Sequence, residues 1–102
     1  MERSFARVLN FETRMGRSPQ RQAVAEVFGQ RVRAARQKHG WSLEGLAERS
    51  GLHWTYVGSV ERGERNLSLV NLVRLAQALE IDPGELTKGL KISPTKRSRP
   101  QR

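Results

Sequence analysis

The chain contains no cysteine, so neither a disulfide nor a thiolate metal site can form in it. Aromatic residues make up only 6% of it, and it has no β-strand pattern. No run approaches the roughly 20 apolar residues needed to cross a bilayer, and the first residues lack the apolar segment of a signal peptide. We therefore expect a soluble cytoplasmic protein without a membrane contact.

The residue patterns of an enzyme are missing as well. We find no nucleophile beside a base, no glycine loop for phosphate and no cluster of metal ligands. The two histidines, His39 and His53, have no group of carboxylates near them in the sequence. We expect no enzymatic activity, no catalytic residue, no metal and no cofactor.

Acidic residues are scarce, and their distribution is uneven. The chain has 19 Lys and Arg against 10 Asp and Glu, a net charge of +9, which favours a polyanionic partner. Residues 1–40 carry +6, residues 41–87 carry −3 and residues 88–102 carry +6. Because the middle is acidic, charge alone cannot hold such a partner there. The middle must contribute shape and hydrogen bonds, while the ends contribute attraction.

The length of 102 residues leaves room for one domain. We divide the chain into an N-terminal arm of uncertain structure (residues 1–22), a helical domain (23–92) and a basic tail (93–102). The tail has no apolar residue and is expected to be disordered. Its cations should add nonspecific phosphate attraction that falls with salt; they are Lys96, Arg97, Arg99 and Arg102.

Apolar spacing and capping signals predict five helices, the first of which begins within the last residues assigned to the arm. Most begin at a polar cap or a proline, and several end at a glycine. In chain order, the predicted limits are Ser18-Pro19 to Gly40, Ser42 to Ser50-Gly51, His53 to Arg62, a helix capped by Ser68, and a short helix that begins at Asp82-Pro83.

The second and third predicted helices are separated by a very short turn. Ala47 would let the two helices approach, Gly51 would adopt the left-handed conformation of the turn, and Val57 would anchor the later helix on the earlier one. This spacing is typical of a helix-turn-helix. On these three residues alone, an ordinary pair of antiparallel helices is an equal alternative.

A longer string of residues favours the helix-turn-helix. It comprises Arg31-Val32-Arg33, Arg36, the segment from Gly40 to Leu52, Tyr56-Val57, the segment from Val60 to Asn66, and Leu69, Leu72, Leu75-Ala76 and Leu79. Between about residues 28 and 87 it resembles the Cro/C1 (XRE-type) repressor family. The resemblance implies an all-α, five-helix, lambda-repressor-like domain. It also implies a third helix in the DNA major groove and a two-fold dimer on a palindromic operator.

By this resemblance, the start of the third helix contacts base edges through Trp54 and Thr55, and one turn later through Ser59. Thr55 could use its hydroxyl group, or its methyl group against a thymine methyl. Trp54 could pack on a thymine methyl or on the sugar-phosphate wall, or simply cover the edge of the second helix. Gly58 could let the backbone lie closer to DNA.

Phosphate contacts are expected from helix N-termini and flanking loops. The candidates are Ser42, His53, Tyr56, Arg62, Arg65 and Asn66. For Arg65, a solvated surface charge is the alternative. Leu43 and Gly45 depart from the family, which often has glutamine and glutamate there, so we expect no capping box and fewer DNA contacts from the second helix.

The resemblance also implies a structural salt bridge between Arg36 of the first helix and Glu61 of the third. Such a pair would hold the third helix in place. A buried charge left without its partner is strongly destabilising, so the pair should matter most when one member is removed.

A monomer would contact few base pairs, which favours a homodimer. The expected interface is Leu86, Leu90 and Ile92, together with Leu79 and Ile81; the alternative is that these residues close the core of the monomer. Residues 1–22, with Phe5, Leu9 and Phe11, are a second candidate for an interface.

The leading functional hypothesis is a sequence-specific regulator of transcription, a repressor or autoregulator that associates with the nucleoid when bound to DNA. The alternative is an antitoxin-like interaction module that contacts a protein through residues 1–22 and uses the helix-turn-helix for autoregulation. A nonspecific nucleic-acid binder is disfavoured by the acidic middle.

Overall fold

A computed structural model describes residues 19–92. Within these residues the chain forms five helices, which we number α1 (Pro19–His39), α2 (Leu43–Ser50), α3 (Trp54–Glu61), α4 (Leu69–Leu79) and α5 (Pro83–Thr87). The five predicted helices are confirmed. Residues 19–22 belong to α1, so this helix begins four residues before the predicted domain limit at residue 23. The rest of the arm, the predicted cap at Ser18 and the basic tail lie outside the described residues.

Side-chain caps explain where the short helices begin. The Ser42 hydroxyl accepts a hydrogen bond from the Gly45 amide at 3.0 Å, and the Ser68 hydroxyl accepts one from the Asn71 amide at 3.1 Å. Each of these bonds satisfies an amide that has no partner inside its helix. Pro83 occupies the first turn of α5, where a missing amide hydrogen costs nothing.

The core lies between α1 and the three helices that pack on it, α3, α4 and α5, and α2 closes it by packing on α3 and α4. Each helix contributes the apolar side chains of one face. The buried apolar residues are Phe28, Val32, Leu46, Ala47, Val57, Val60, Leu75, Ala76, Leu79 and Leu86. Leu79 and Leu86 are therefore core residues of the monomer, and their assignment to a dimer interface was wrong. With exposed fractions of 0% and 1%, they have no surface to offer a second copy.

Two contacts of α1 fix the helices around it. A Cβ at Gly29 would overlap the backbone carbonyl oxygen of Val60 and lie 2.6 Å from that of Glu61, so α1 and α3 touch through their backbones. On the other side of the domain, the Arg31 guanidinium donates to the carbonyl oxygens of Leu86 at 3.2 Å and Lys88 at 2.7 Å. Arg31 thereby satisfies carbonyls at the end of α5.

None of the helices in residues 19–92 is long and apolar enough to span a membrane. Over the same residues, no group of three or more His, Asp or Glu side chains is placed to hold a metal ion.

Candidate nucleic-acid interface

The turn between α2 and α3 sets the position of α3. Gly51 adopts the left-handed conformation with φ of 76°, and the amides of Gly51 and Leu52 both donate to the Ala47 carbonyl oxygen, at 2.9 and 3.1 Å. Only glycine enters this conformation without strain. Ala47 and Val57 are buried on the facing sides of the two helices. The three residues have the positions expected of a helix-turn-helix.

Arg36 connects α1 to both neighbouring elements. Its Nε and Nη2 donate to the two carboxylate oxygens of Glu61 at 2.8 and 2.9 Å, and its Nη1 donates to the Trp41 carbonyl oxygen at 2.9 Å. The side chains of Arg36 and Glu61 are only 13% and 6% exposed. The hydrogen bonds to Glu61 raise the pKa of Arg36 above its already high ordinary value, despite the opposing effect of burial. The predicted ion pair therefore exists as a two-bond pair.

The first two residues of α3 are exposed. We call Trp54 and Thr55 the leading edge of the helix; Trp54 is 48% exposed, and Thr55 is also open to solvent. The Trp54 ring stacks on the imidazole of His53, with 6.0 Å between the ring centroids. His53 is the N-cap of α3, because its side chain accepts the Thr55 amide. The leading edge is thus available to a partner.

Ser59 lies in a different environment from the leading edge. It is only 5% exposed, its hydroxyl donates to the Tyr56 carbonyl oxygen at 2.7 Å, and it accepts from Arg65 Nε at 2.9 Å. A short side chain that is buried and already hydrogen-bonded cannot reach a base edge. The predicted base contact of Ser59 is therefore wrong for this conformation.

Arg65 is held beside α3 by the same contacts. In addition to its bond with Ser59, its guanidinium carbon lies 5.4 Å from the centroid of the Tyr56 ring. The Tyr56 hydroxyl in turn accepts a hydrogen bond from the Asn71 side chain of α4 at 3.1 Å. Three of the predicted site residues, Tyr56, Ser59 and Arg65, therefore lie together, and Arg65 is more than a solvated surface charge.

The remaining phosphate candidates are exposed. Ser42 lies at the N-terminus of α2 and Asn66 in the loop after α3. Arg62 forms an exposed ion pair with Glu64, in which Nε donates to Oε2 at 3.0 Å. This hydrogen bond raises the pKa of Arg62 above its ordinary value. The Glu64 carboxylate is therefore bound to Arg62, which we expected to contact a phosphate.

Gly58 is buried beneath neighbouring side chains. A Cβ there would lie 3.6 Å from the Leu43 side chain and 3.3 Å from the end of the Arg62 side chain. Gly58 therefore faces Leu43 of α2 and the end of the Arg62 side chain, and the expectation that it brings the backbone of α3 closer to DNA stays a prediction.

Three contributors to this surface were not predicted. Asn71 fixes the Tyr56 hydroxyl, Glu64 pairs with Arg62, and Trp41 lies between the His39 ring and the Arg49 guanidinium, 4.0 Å from each. The serine at position 68 indicated where α4 begins, but not that Asn71 would reach Tyr56, 15 residues away. The contacts of Glu64 and Trp41 are closer in sequence, but they depend on side-chain conformations that the sequence does not give.

Comparison with known proteins shows which family has this arrangement of helices. The model of a family described as Helix-turn-helix matches residues 32–86, more than half of the chain. The chain belongs to the helix-turn-helix family. It is of the Cro/C1 type, whose members are DNA-binding transcriptional regulators rather than enzymes.

Three helix-turn-helix proteins show how far the similarity extends. The chain is 50% identical over 70 residues to control protein C.SmaI of Serratia marcescens, covering 67% of this chain and 83% of that protein. It is 44% identical over 61 residues to control protein C.BamHI of Bacillus amyloliquefaciens, covering 59% and 75%. The crystal structure of the restriction-modification controller protein C.AhdI from Aeromonas hydrophila matches with 56% identity and a TM-score of 0.62, covering 63% of this chain and 97% of that one.

Proposed function

We propose that this helix-turn-helix protein is a sequence-specific regulator of transcription that controls the genes of a restriction-modification system. The similarity to C.AhdI supports this class, since 97% of that controller protein is covered by 63% of this chain. The relatives described above are control proteins, which favours a regulator over the antitoxin-like interaction module. Repression or autoregulation, in the cytoplasm and on the nucleoid, belongs to the same proposal.

The observation that carries the proposal is the exposed leading edge on a rigidly held helix. A recognition helix must present side chains to base edges while its opposite face is fixed to the domain. In α3, Trp54 and Thr55 are open to solvent, while Val57 and Val60 are buried and Glu61 is bound to Arg36. We assign base contacts to Trp54 and Thr55 on this ground.

Phosphate contacts are proposed for the groups around the leading edge. They are Ser42, His53, Tyr56, Arg62, Arg65 and Asn66. These contacts would set the register of the protein on the duplex without carrying sequence information themselves. Arg62 donates to Glu64 through Nε and Nη2, so a phosphate would be met by its Nη1 group beside that carboxylate.

Selection of binding sites from a random duplex library tests the proposal. The parent chain should enrich one sequence with two related half-sites. Trp54→Ala combined with Thr55→Val should lose most of that preference and retain salt-dependent binding, because the cations around the leading edge remain. Enrichment of the same sequence, equally strongly, by the double variant would contradict the assignment of base contacts to α3.

We further propose that two copies bind together through Ile81, Leu90 and Ile92. Ile81 and Leu90 are half-buried and Ile92 is 53% exposed, so these side chains retain surface that a second copy could cover. In light scattering, the parent should have the mass of a dimer at micromolar concentration, and Ile92→Asp should shift it towards the monomer. The Trp54→Ala, Thr55→Val variant should keep the parent mass. A parent that is monomeric both free and on DNA would refute the dimer.

The division into domains remains a proposal. With α1 beginning at Pro19, the DNA-binding domain comprises residues 19–92, preceded by an arm and followed by the basic tail. The arm is the part of the chain proposed to meet a further protein partner.

A further inference from the structure

The cap at the start of α3 has an unusual arrangement of donors. His53 Nδ1 lies 3.1 Å from the backbone nitrogen of Thr55 and 2.7 Å from the Thr55 hydroxyl oxygen. One ring nitrogen therefore faces both hydrogen-bond donors of a leading-edge residue. The contacts are local, since all three atoms belong to residues 53 and 55.

The protons in this cap can be assigned from the backbone. An amide nitrogen can only donate, so Nδ1 must be the acceptor and cannot carry a hydrogen. In the neutral imidazole, the ring proton then lies on Nε2. At 2.7 Å from an unprotonated nitrogen, the Thr55 hydroxyl can only be a donor. The two hydrogens share the lone pair of Nδ1, and the shorter contact belongs to the hydroxyl.

This assignment has a direct consequence for Thr55. A threonine hydroxyl has one hydrogen and two lone pairs. When its hydrogen is directed to His53, only lone pairs remain for a partner outside the domain. Thr55 is exposed, so those lone pairs are accessible. Towards an outside partner, the hydroxyl group can therefore act only as a hydrogen-bond acceptor.

We propose that Thr55 recognises a hydrogen-bond donor in the major groove, which is the exocyclic amino group of adenine or cytosine. His53 is the positioning residue that imposes this choice by holding the hydroxyl hydrogen. Guanine O6, thymine O4 and purine N7 are acceptors, and the hydroxyl in this orientation does not bind them. The inference rests on the proposed function, since it requires α3 to lie in the groove.

A further contact of the imidazole supports this role. Its ring stacks on Trp54 with an angle of 24° between the two planes. With Nδ1 occupied by Thr55, the hydrogen on Nε2 is left to donate to an outside acceptor such as a phosphate oxygen. The same residue would then orient a base-reading group through one nitrogen and meet the DNA backbone through the other.

Base analogues in the selected duplex test the inference. Purine in place of adenine, or 2-pyrimidinone in place of cytosine, removes the amino group alone, and a 7-deaza purine removes the N7 acceptor alone. At one base pair, loss of the amino group should weaken binding of the parent about fivefold, which is the size of one hydrogen bond. Loss of N7 at that pair should change it less than twofold. Thr55→Val should be insensitive to both.

Two substitutions at His53 separate positioning from simple capping. His53→Asn keeps a side-chain acceptor at the cap and should retain the fivefold sensitivity to the amino group. His53→Ala frees the hydroxyl to rotate, and its sensitivity should fall below twofold. Thermal melting of both variants controls for folding.

The possible failures are distinguishable. If the library yields no enriched sequence, the proposed function fails. If it yields an operator but the base pair that depends on Thr55 responds to loss of N7 instead of the amino group, the inference alone fails. It also fails if His53→Ala retains the response of the parent.

Discussion

Replacing Arg36 with alanine is expected to lower the free energy of unfolding by about 3 kcal/mol, the typical cost of breaking a buried ion pair by removing one partner. The substitution leaves the Glu61 carboxylate, whose side chain is 6% exposed, without its two hydrogen bonds. It also leaves the Trp41 carbonyl oxygen without the Arg36 donor. Thermal melting followed by circular dichroism should show a fall in Tm of more than about 10 °C, as expected for a domain of this size.

Two control variants define the cause of that loss. Arg36→Lys retains the charge but cannot form the two parallel bonds. Its free energy of unfolding should therefore lie between those of Arg36→Ala and the parent. Arg36→Met combined with Glu61→Leu removes both charges and should recover much of the stability, because no buried charge remains unpaired. An unchanged Tm in Arg36→Ala would mean that the pair does not hold α3 in place.

Replacing Gly29 with alanine is expected to cost about 2–3 kcal/mol, in the upper part of the range for overpacking a core. The added carbon would overlap the Val60 carbonyl oxygen and lie 2.6 Å from that of Glu61. Both atoms belong to the backbone of α3. No side chain can therefore shift to make room, and the two helices must move apart. Urea unfolding should show the loss in stability, and DNA affinity should fall because α3 is displaced.

Gly58→Ala is the matched control for this prediction. It is the same substitution in a neighbouring helix, where the new carbon would meet only the ends of the Arg62 and Leu43 side chains. Arg62 is exposed and can shift, and alanine favours the helix by up to about 1 kcal/mol over glycine. We expect Gly58→Ala to equal or exceed the stability of the parent. Equal losses in the two variants would show that the close contact at Gly29 is not the cause.

The sequence was sufficient to predict the order of the helices and where most of them begin, because local residues determine both. Ser42, Ser68 and Pro83 begin their helices as predicted, and Gly51 forms the left-handed turn. The contact between Arg36 and Glu61, 25 residues apart, was predicted from the resemblance to a family and not from spacing.

The errors concern positions whose surroundings come from distant parts of the chain. Leu86 is a large apolar residue, which is equally typical of an interface and of a core. Only the packing of α5 on the other helices shows that it belongs to the core. Ser59 lies on the turn that follows the leading edge, yet Arg65 and Tyr56 enclose it. From the sequence alone, nothing indicates that Gly29 lies against the backbone of α3.

His53 was missed as a cap for a chemical reason. Serine, threonine, aspartate and asparagine are the residues that usually indicate the start of a helix. A histidine caps only if its Nδ1 is unprotonated and turned towards the backbone, which depends on the conformation of the side chain. The sequence therefore indicated His53 as a possible phosphate ligand and left its contact with Thr55 undetected.

Arg36 binds the carbonyl of Trp41, which immediately precedes the cap of α2, and also the carboxylate of Glu61 in α3. One guanidinium thus joins the two elements proposed to meet the phosphates and the bases, and we expect them to move as one rigid body. A rigid body cannot adjust to grooves of different width, and we expect the duplex to adapt instead. Operators with easily bent base steps between the half-sites should then bind more tightly than stiff ones, even where the protein touches no base.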